Sequence, residues 1–163
     1  MELSELRSYS FLGSMHIVFH LQFNLPSSFF FSLCQFLSPP DCNFAAELQS
    51  EAHIKGFLLA YLGMYRYYQL YPEYELNKGF ANFLFKPSPS VPVMPPLTYL
   101  LEVKYAKAGA SEKEIRALAD EAREQLLRYS QDELVAEAKA KGGLKLITIV
   151  WCSWELVLLE EVL

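Results

Sequence analysis

Five prolines fall within the eleven residues "KPSPSVPVMPP", Lys86 to Pro96, and they restrict the fold more sharply than anything else in the chain. Proline locks φ and lacks an N–H, so this stretch is neither helix interior nor central strand. The segments on either side, "GFANFLF" and "YLLEVKY", are rich in β-forming residues. The stretch therefore reads as an extended surface loop joining two strands of one sheet. No domain boundary is needed there, because 163 residues suffice for one hydrophobic core and are few for two.

Working outward from the loop, "YELNKGFANFLF" carries the turn signal Asn77-Lys78-Gly79 between two short β-prone runs and reads as a hairpin. Upstream, Ile54, Phe57, Leu58, Tyr61, Leu62 and Tyr65 recur at helical spacing, which predicts a helix from about Ala45 to Leu70, ended by Pro72. Downstream of "YLLEVKY", "SEKEIRALADEAREQLLRY" opens with a capping box, Ser111 to Glu114, and keeps its period through Ile115, Leu118, Ala122 and Leu126. A break at Ser130 to Asp132 starts a second helical piece, stopped by Gly142 and Gly143. "LKLITIVW" and "WELVLLEEV" close the chain as two strands joined by a tight turn at Cys152-Ser153. The expected fold is α/β, a mixed central sheet flanked by helices.

Composition narrows the function classes without choosing one. The 52% hydrophobic content belongs to a folding chain, and the net charge of -5 gives no global field toward nucleic acid, so such contact would need a local basic patch. Lys104, Lys107, Lys113, Arg116, Arg123 and Arg128 could form one, although interleaved acids make a solvated helix surface an equal reading. Cys34, Cys42 and Cys152 form neither a disulfide framework nor a zinc ribbon, which suits a cytoplasmic setting. His16 and His20 have no acid or cysteine near them in sequence and read as ordinary histidines. The apolar run from Phe11 to Leu37 is interrupted by His16, His20, Gln22, Asn24 and Pro26 before about 18 apolar residues accumulate, so stable membrane insertion is not expected. Residues 1–44 remain an apolar segment of unknown role, a remnant of a preceding domain or a surface for membrane or partner association, ahead of a domain at 45–163.

Within "YLLEVKY", Glu102 and Lys104 share one face of the strand because side chains alternate. Taken alone they are an ion pair on the outward face of an edge strand, worth at most about 1 kcal/mol. With partners they are half of a phosphodiester-cleaving site, Glu102 holding Mg²⁺ and Lys104 supplying a cation beside the attacking water. The neighbouring strand offers Asn82 as the second ligand, an amide oxygen without a carboxylate's charge.

The series "ELNKGFANFLF", a loop, "YLLEVKY" and then "EAREQLLRY" resembles the PD-(D/E)XK nuclease superfamily over residues 45–160, in particular the nuclease-like domain usually found C-terminal to an ATPase-like domain in bacterial proteins. The family pattern is a Gly-x-x-Asp, a Glu-x-Lys and a Gln-x-x-x-Tyr. Here Glu102 and Lys104 match the second element, Gln125 and Tyr129 the third, and Glu51 sits where an acid of the first helix is expected. Gly79 is in place, but Asn82 stands where the pattern has Asp. The resemblance implies a restriction-endonuclease-like αβββαβ core and a weakly held Mg²⁺ or Mn²⁺ on Glu102, Asn82 and Glu51. It further implies a site lined by Gln125 and Tyr129, with DNA as the nucleic-acid partner. No Gly-x-x-x-x-Gly-Lys-Ser/Thr run is present, so an ATPase-like partner domain is absent from this chain.

Overall fold

The computed structural model describes residues 50–63, 67–77, 79–90, 97–153 and 155–162. The segment 1–44, with His16, His20, Cys34 and Cys42, and most of the proline stretch lie outside the described residues. The described elements are α1 (Glu51–Leu62), β1 (Tyr68–Leu76), β2 (Gly79–Pro87), β3 (Thr98–Ala106), α2 (Glu112–Tyr129), α3 (Glu133–Ala140), β4 (Leu144–Cys152) and β5 (Glu155–Glu161). The five strands form one mixed sheet in the order β1-β2-β3-β4-β5, with β3 and β4 parallel and the other neighbours antiparallel. β3 and β4 are joined through α2 and α3, the crossover a parallel pair requires. The fold is α/β with helices flanking a mixed sheet. β3 is its central strand, which overturns the reading of Glu102 and Lys104 as an edge-strand pair.

The helix expected from Ala45 to Leu70 is corrected to α1, which stops at Leu62. From Tyr68 the same aromatic-rich sequence is strand instead, because its backbone pairs with β2 from Tyr68↔Pro87 to Leu76↔Gly79. Tyrosine suits a strand at least as well as a helix, and here the Tyr68 ring packs edge-on against Phe85 and Tyr99, centroids 6.4 and 5.7 Å apart. Pro72 is tolerated because β1 lies at the sheet edge.

The capping box at the start of α2 is formed: Ser111 accepts from the Glu114 N–H while the Glu114 carboxylate accepts from the Ser111 N–H. Ala119, Ala122, Leu126 and Tyr129 form its buried face, which lies over β2, β3 and β4. Leu126 and Tyr129 share a core with Leu76, Ala81, Leu84, Leu100, Leu144 and Leu146. At the other end, Ala119 packs with Ala106 and Val150.

The β1–β2 hairpin tip is fastened to this helix layer. Asn77, at φ 42°, suits a two-residue hairpin turn; its N–H donates to Asp132 Oδ2 (2.6 Å) and its side-chain amide to the Arg128 carbonyl (2.8 Å). Gly79 follows, and a Cβ there would stand 2.8 Å from Tyr129 Cε1 and 2.9 Å from its hydroxyl oxygen. The buried Tyr129 ring has little room to retreat. Gly79→Ala is expected to cost about 1–3 kcal/mol of folding free energy, read as a lower denaturant midpoint with an unchanged slope.

Candidate functional site

β2 and β3 pair from Phe85↔Tyr99 to Phe83↔Leu101 and then part. One step further the same register sets Asn82 level with Glu102, and there side chains replace the ladder. The Asn82 N–H donates to Glu102 Oε2 at 3.2 Å, and the Val103 N–H donates to Asn82 Oδ1 at 2.8 Å. A buried backbone N–H must find an acceptor, and at this fork the acceptors are the two side chains the sequence singled out.

Both are deeply placed, Asn82 5% and Glu102 3% exposed. The second carboxylate oxygen of Glu102 faces the Lys104 ammonium at 4.0 Å, outside hydrogen-bond reach. Lys104 itself donates to Glu121 Oε1 on α2 at 2.8 Å, the Glu121 side chain being 55% exposed. Burial pushes the Glu102 carboxyl up to about 7; the Asn82 N–H and Lys104 pull it down, Glu51 pushes it up again and Lys55 pulls it down. Near neutral pH this carboxyl divides between its protonated and ionised forms.

The strand register carries the level of Glu102 across the sheet. Glu102 pairs with Thr148, and Thr148 with Glu160. On the other side, the pairs Pro72↔Phe83 and Tyr74↔Ala81 set Glu73 opposite Asn82, though these two are not themselves paired. One polar residue per strand, Glu73, Asn82, Glu102, Thr148 and Glu160, thus makes a row through a mostly apolar sheet. Among the described residues the buried Thr148 hydroxyl has no hydrogen-bond partner, and neither has the buried Gln125 amide oxygen on α2.

Two features mark the β1 end of this row. Ala81 and Leu84 belong to the same core cluster although they are three residues apart, where strict alternation would face them oppositely. The hairpin therefore turns over between them, at the level where Glu73 takes a left-handed φ of 45°. That conformation costs a glutamate about 1–2 kcal/mol. Its carboxylate accepts from the Lys55 ammonium of α1 at 2.6 Å, and Glu51, one helical turn before Lys55, lies 3.4 Å from the same ammonium. The Glu73 side chain is 52% exposed, and such a pair returns at most about 1 kcal/mol. The pair does not by itself account for its backbone.

Of the residues singled out in the sequence, Glu102 accepts a hydrogen bond from Asn82 and faces Lys104 at 4.0 Å. Glu51 reaches Glu102 by charge, and Tyr129 lies against Gly79. The basic patch is largely spoken for: Lys104 pairs with Glu121, Arg116 and Arg123 both pair with Glu160, and Arg128 stacks over the Tyr129 ring at 5.2 Å. Thr148, Glu160, Glu73 and Lys55 were not singled out. A polar residue inside "LKLITIVW" is the only sequence signal for Thr148, and its level depends on a register that sequence does not reveal.

For a divalent cation the fit is partial. A small hard cation needs one or two carboxylates, keeping waters and adding substrate phosphate oxygens. Glu102 has one oxygen free of hydrogen bonds among the described residues and Glu51 stands within charge range, whereas the Asn82 oxygen is engaged by Val103. No three His, Cys, Asp or Glu side chains converge among the described residues. The donor set suits a cation that the protein holds only in part. Among the described residues no helix is long and apolar enough to cross a membrane.

A family model described as the PD-(D/E)XK nuclease superfamily matches residues 49–161. No curated protein and no solved structure matches the chain.

Proposed function

Because the chain belongs to the PD-(D/E)XK nuclease superfamily, we propose that it is a divalent-cation-dependent nuclease-like domain that hydrolyses phosphodiester bonds in nucleic acid, DNA in the first instance. The observation that carries this reading is the fork between β2 and β3, where a buried carboxylate and a lysine share one strand face beside Asn82.

Glu102 and Glu51 would hold Mg²⁺ or Mn²⁺, with Asn82 beside them as a neutral and weaker donor. When bound, the cation activates water and offsets charge developing on the phosphate. The Asn82 N–H fixes the Glu102 carboxylate against β2, leaving its other oxygen turned toward Lys104. Lys104, buried and tethered to an exposed Glu121, would exchange that partner for a phosphate oxygen or hold the attacking water beside it, so that the buried ammonium is not left unpaired. Gln125 and Tyr129 of α2 would line the approach, and the buried Gln125 oxygen, without a hydrogen-bond partner among the described residues, is an acceptor for that purpose.

The test compares cleavage of single- and double-stranded DNA and of RNA, with Mg²⁺ or Mn²⁺, by the native protein and Lys104→Ala. Loss of one cation contact of about 1.4 kcal/mol in the transition state lowers the rate roughly tenfold; equal rates would remove Lys104 from the reaction. A second reading, a nuclease-fold module that binds without turnover, is favoured by the engagement of the Asn82 oxygen with Val103. Native protein that cleaves nothing while binding DNA would support it.

A further inference from the structure

We propose that Tyr71, Tyr74 and Lys86 form a platform beside the fork that takes an unpaired nucleic-acid strand, a base stacking on the tyrosine rings while Lys86 meets a phosphate. The proposal rests on the reading of the fork as a phosphodiester-cleaving site and narrows its substrate to single-stranded nucleic acid. The Tyr71 and Tyr74 rings meet edge to face, centroids 5.5 Å apart, and the Lys86 ammonium stands 5.8 and 5.4 Å from their centres. All three side chains are half-buried. Lys55, Lys104, Lys141 and Lys145 each pair with a carboxylate, whereas among the described residues no carboxylate pairs with Lys86. Only the rings hold it, so it can turn to a phosphate without stranding an acid.

The register puts this platform on the sheet face that carries the fork. Tyr71 pairs with Leu84 and Leu84 with Leu100, and both tyrosines pack against the cluster that holds those leucines and Leu126 of α2. Lys86 lies two residues from Leu84 on β2, as Glu102 does from Leu100 on β3, so the period of two gives them the same face. From β1 to β3 is two strand spacings, about 10 Å, so a strand crossing the fork reaches the platform within a few nucleotides. The neighbouring acids turn elsewhere. Glu73 reaches Lys55, and Glu75, between Tyr74 and Leu76 of the cluster, lies on the opposite face. Base faces are open in a single strand and covered by their neighbours in a duplex, so ring faces favour the single strand.

The experiment is fluorescence anisotropy of the full chain with a short labelled oligothymidylate, an abasic strand of equal length and a duplex, in EDTA to stop turnover and again in CaCl₂. Native protein is expected to bind the oligothymidylate most tightly. Tyr74→Leu, which keeps apolar packing and loses the ring, is expected to weaken that binding roughly five- to hundredfold and to leave the abasic strand unchanged, while Tyr74→Phe binds as native. Lys86→Met is expected to weaken both strands and to flatten the slope of log affinity against log salt by about 0.7. Crosslinking of the native chain to a strand carrying 5-bromodeoxyuridine, which depends on no variant's stability, is expected to fall on Tyr71 or Tyr74. If Tyr74→Leu and Lys86→Met bind the oligothymidylate as native does while Lys104→Ala binds it more weakly, the platform is wrong and the nucleic-acid reading stands. If Tyr74→Leu weakens the duplex as much as the single strand, or the crosslink falls elsewhere, stacking of an open strand is wrong. If the native chain binds none of the three in either buffer, the nucleic-acid reading itself fails, and this proposal with it.

Discussion

Between pH 4.5 and about 7 the native protein is expected to lose roughly 3 kcal/mol of folding stability that a Glu102→Gln variant does not lose. The Glu102 carboxyl has its folded-state pKa raised from 4.5 to about 7, chiefly by burial. A raised acid holds its proton in the folded state where the unfolded chain has released it, so folding is favoured at low pH and the advantage fades as pH rises. The effect is absent below 4.5, grows through the interval and levels off above about 7. At about 1.4 kcal/mol per unit, the interval gives the figure stated. Glutamine keeps an oxygen for the Asn82 N–H and has no charge to desolvate, so subtracting its pH profile from the native one isolates this group from the other acids. Urea titrations at pH 5, 6, 7 and 8 on both proteins make the measurement. Added Mg²⁺ is expected to return part of the loss at pH 8 in the native protein alone, because a cation bound to the ionised form stabilises the folded state. Parallel profiles would mean that Glu102 is hydrated in solution.

Asn82→Asp is expected to produce the largest gain. It raises the donor set from two carboxylates to three, and cation affinity at oxygen sites follows ligand charge; Mg²⁺ binding should tighten by on the order of tenfold or more. Without cation the new carboxylate faces Glu102 in a buried place and the variant should melt lower; with cation the order should reverse. If native protein cleaves nucleic acid poorly and the variant cleaves it at least about a hundredfold faster, the native site is a disabled one. If the variant instead binds Mg²⁺ no better and cleaves no faster, residue 82 is not a ligand and the acid has moved elsewhere. Calorimetry and a plasmid-nicking assay on the same preparations decide it.

The parts of this molecule visible in its sequence are those set by local periods. Ser111 and Glu114 marked the start of α2, and the period of two placed Glu102 and Lys104 on one face. The end of α1 is not visible, because the helical stripe read through Tyr65 is followed by Tyr68 and Leu70, which suit a strand as well as a helix, and only pairing with β2 decides. The polar row was invisible for a related reason. Thr148 and Glu160 lie far along the chain from Glu102, and what aligns them is the register of three strands. Asn82 stands out in the sequence as the departure from the family pattern. The direction of its oxygen, into the β3 backbone, depends on the strands parting at that residue.

That last contact bears on how such a chain changes over time. The Val103 N–H asks only for an oxygen at position 82, and asparagine and aspartate both present one. As far as the sheet's backbone is concerned the two are interchangeable, differing by a single amino group in place of an oxygen. A lineage can therefore pass between a charged and an uncharged site by one substitution without dismantling the strand junction that holds it. What separates the two residues is the charge set beside the buried Glu102, so the choice between them turns on whether a cation is there to offset it.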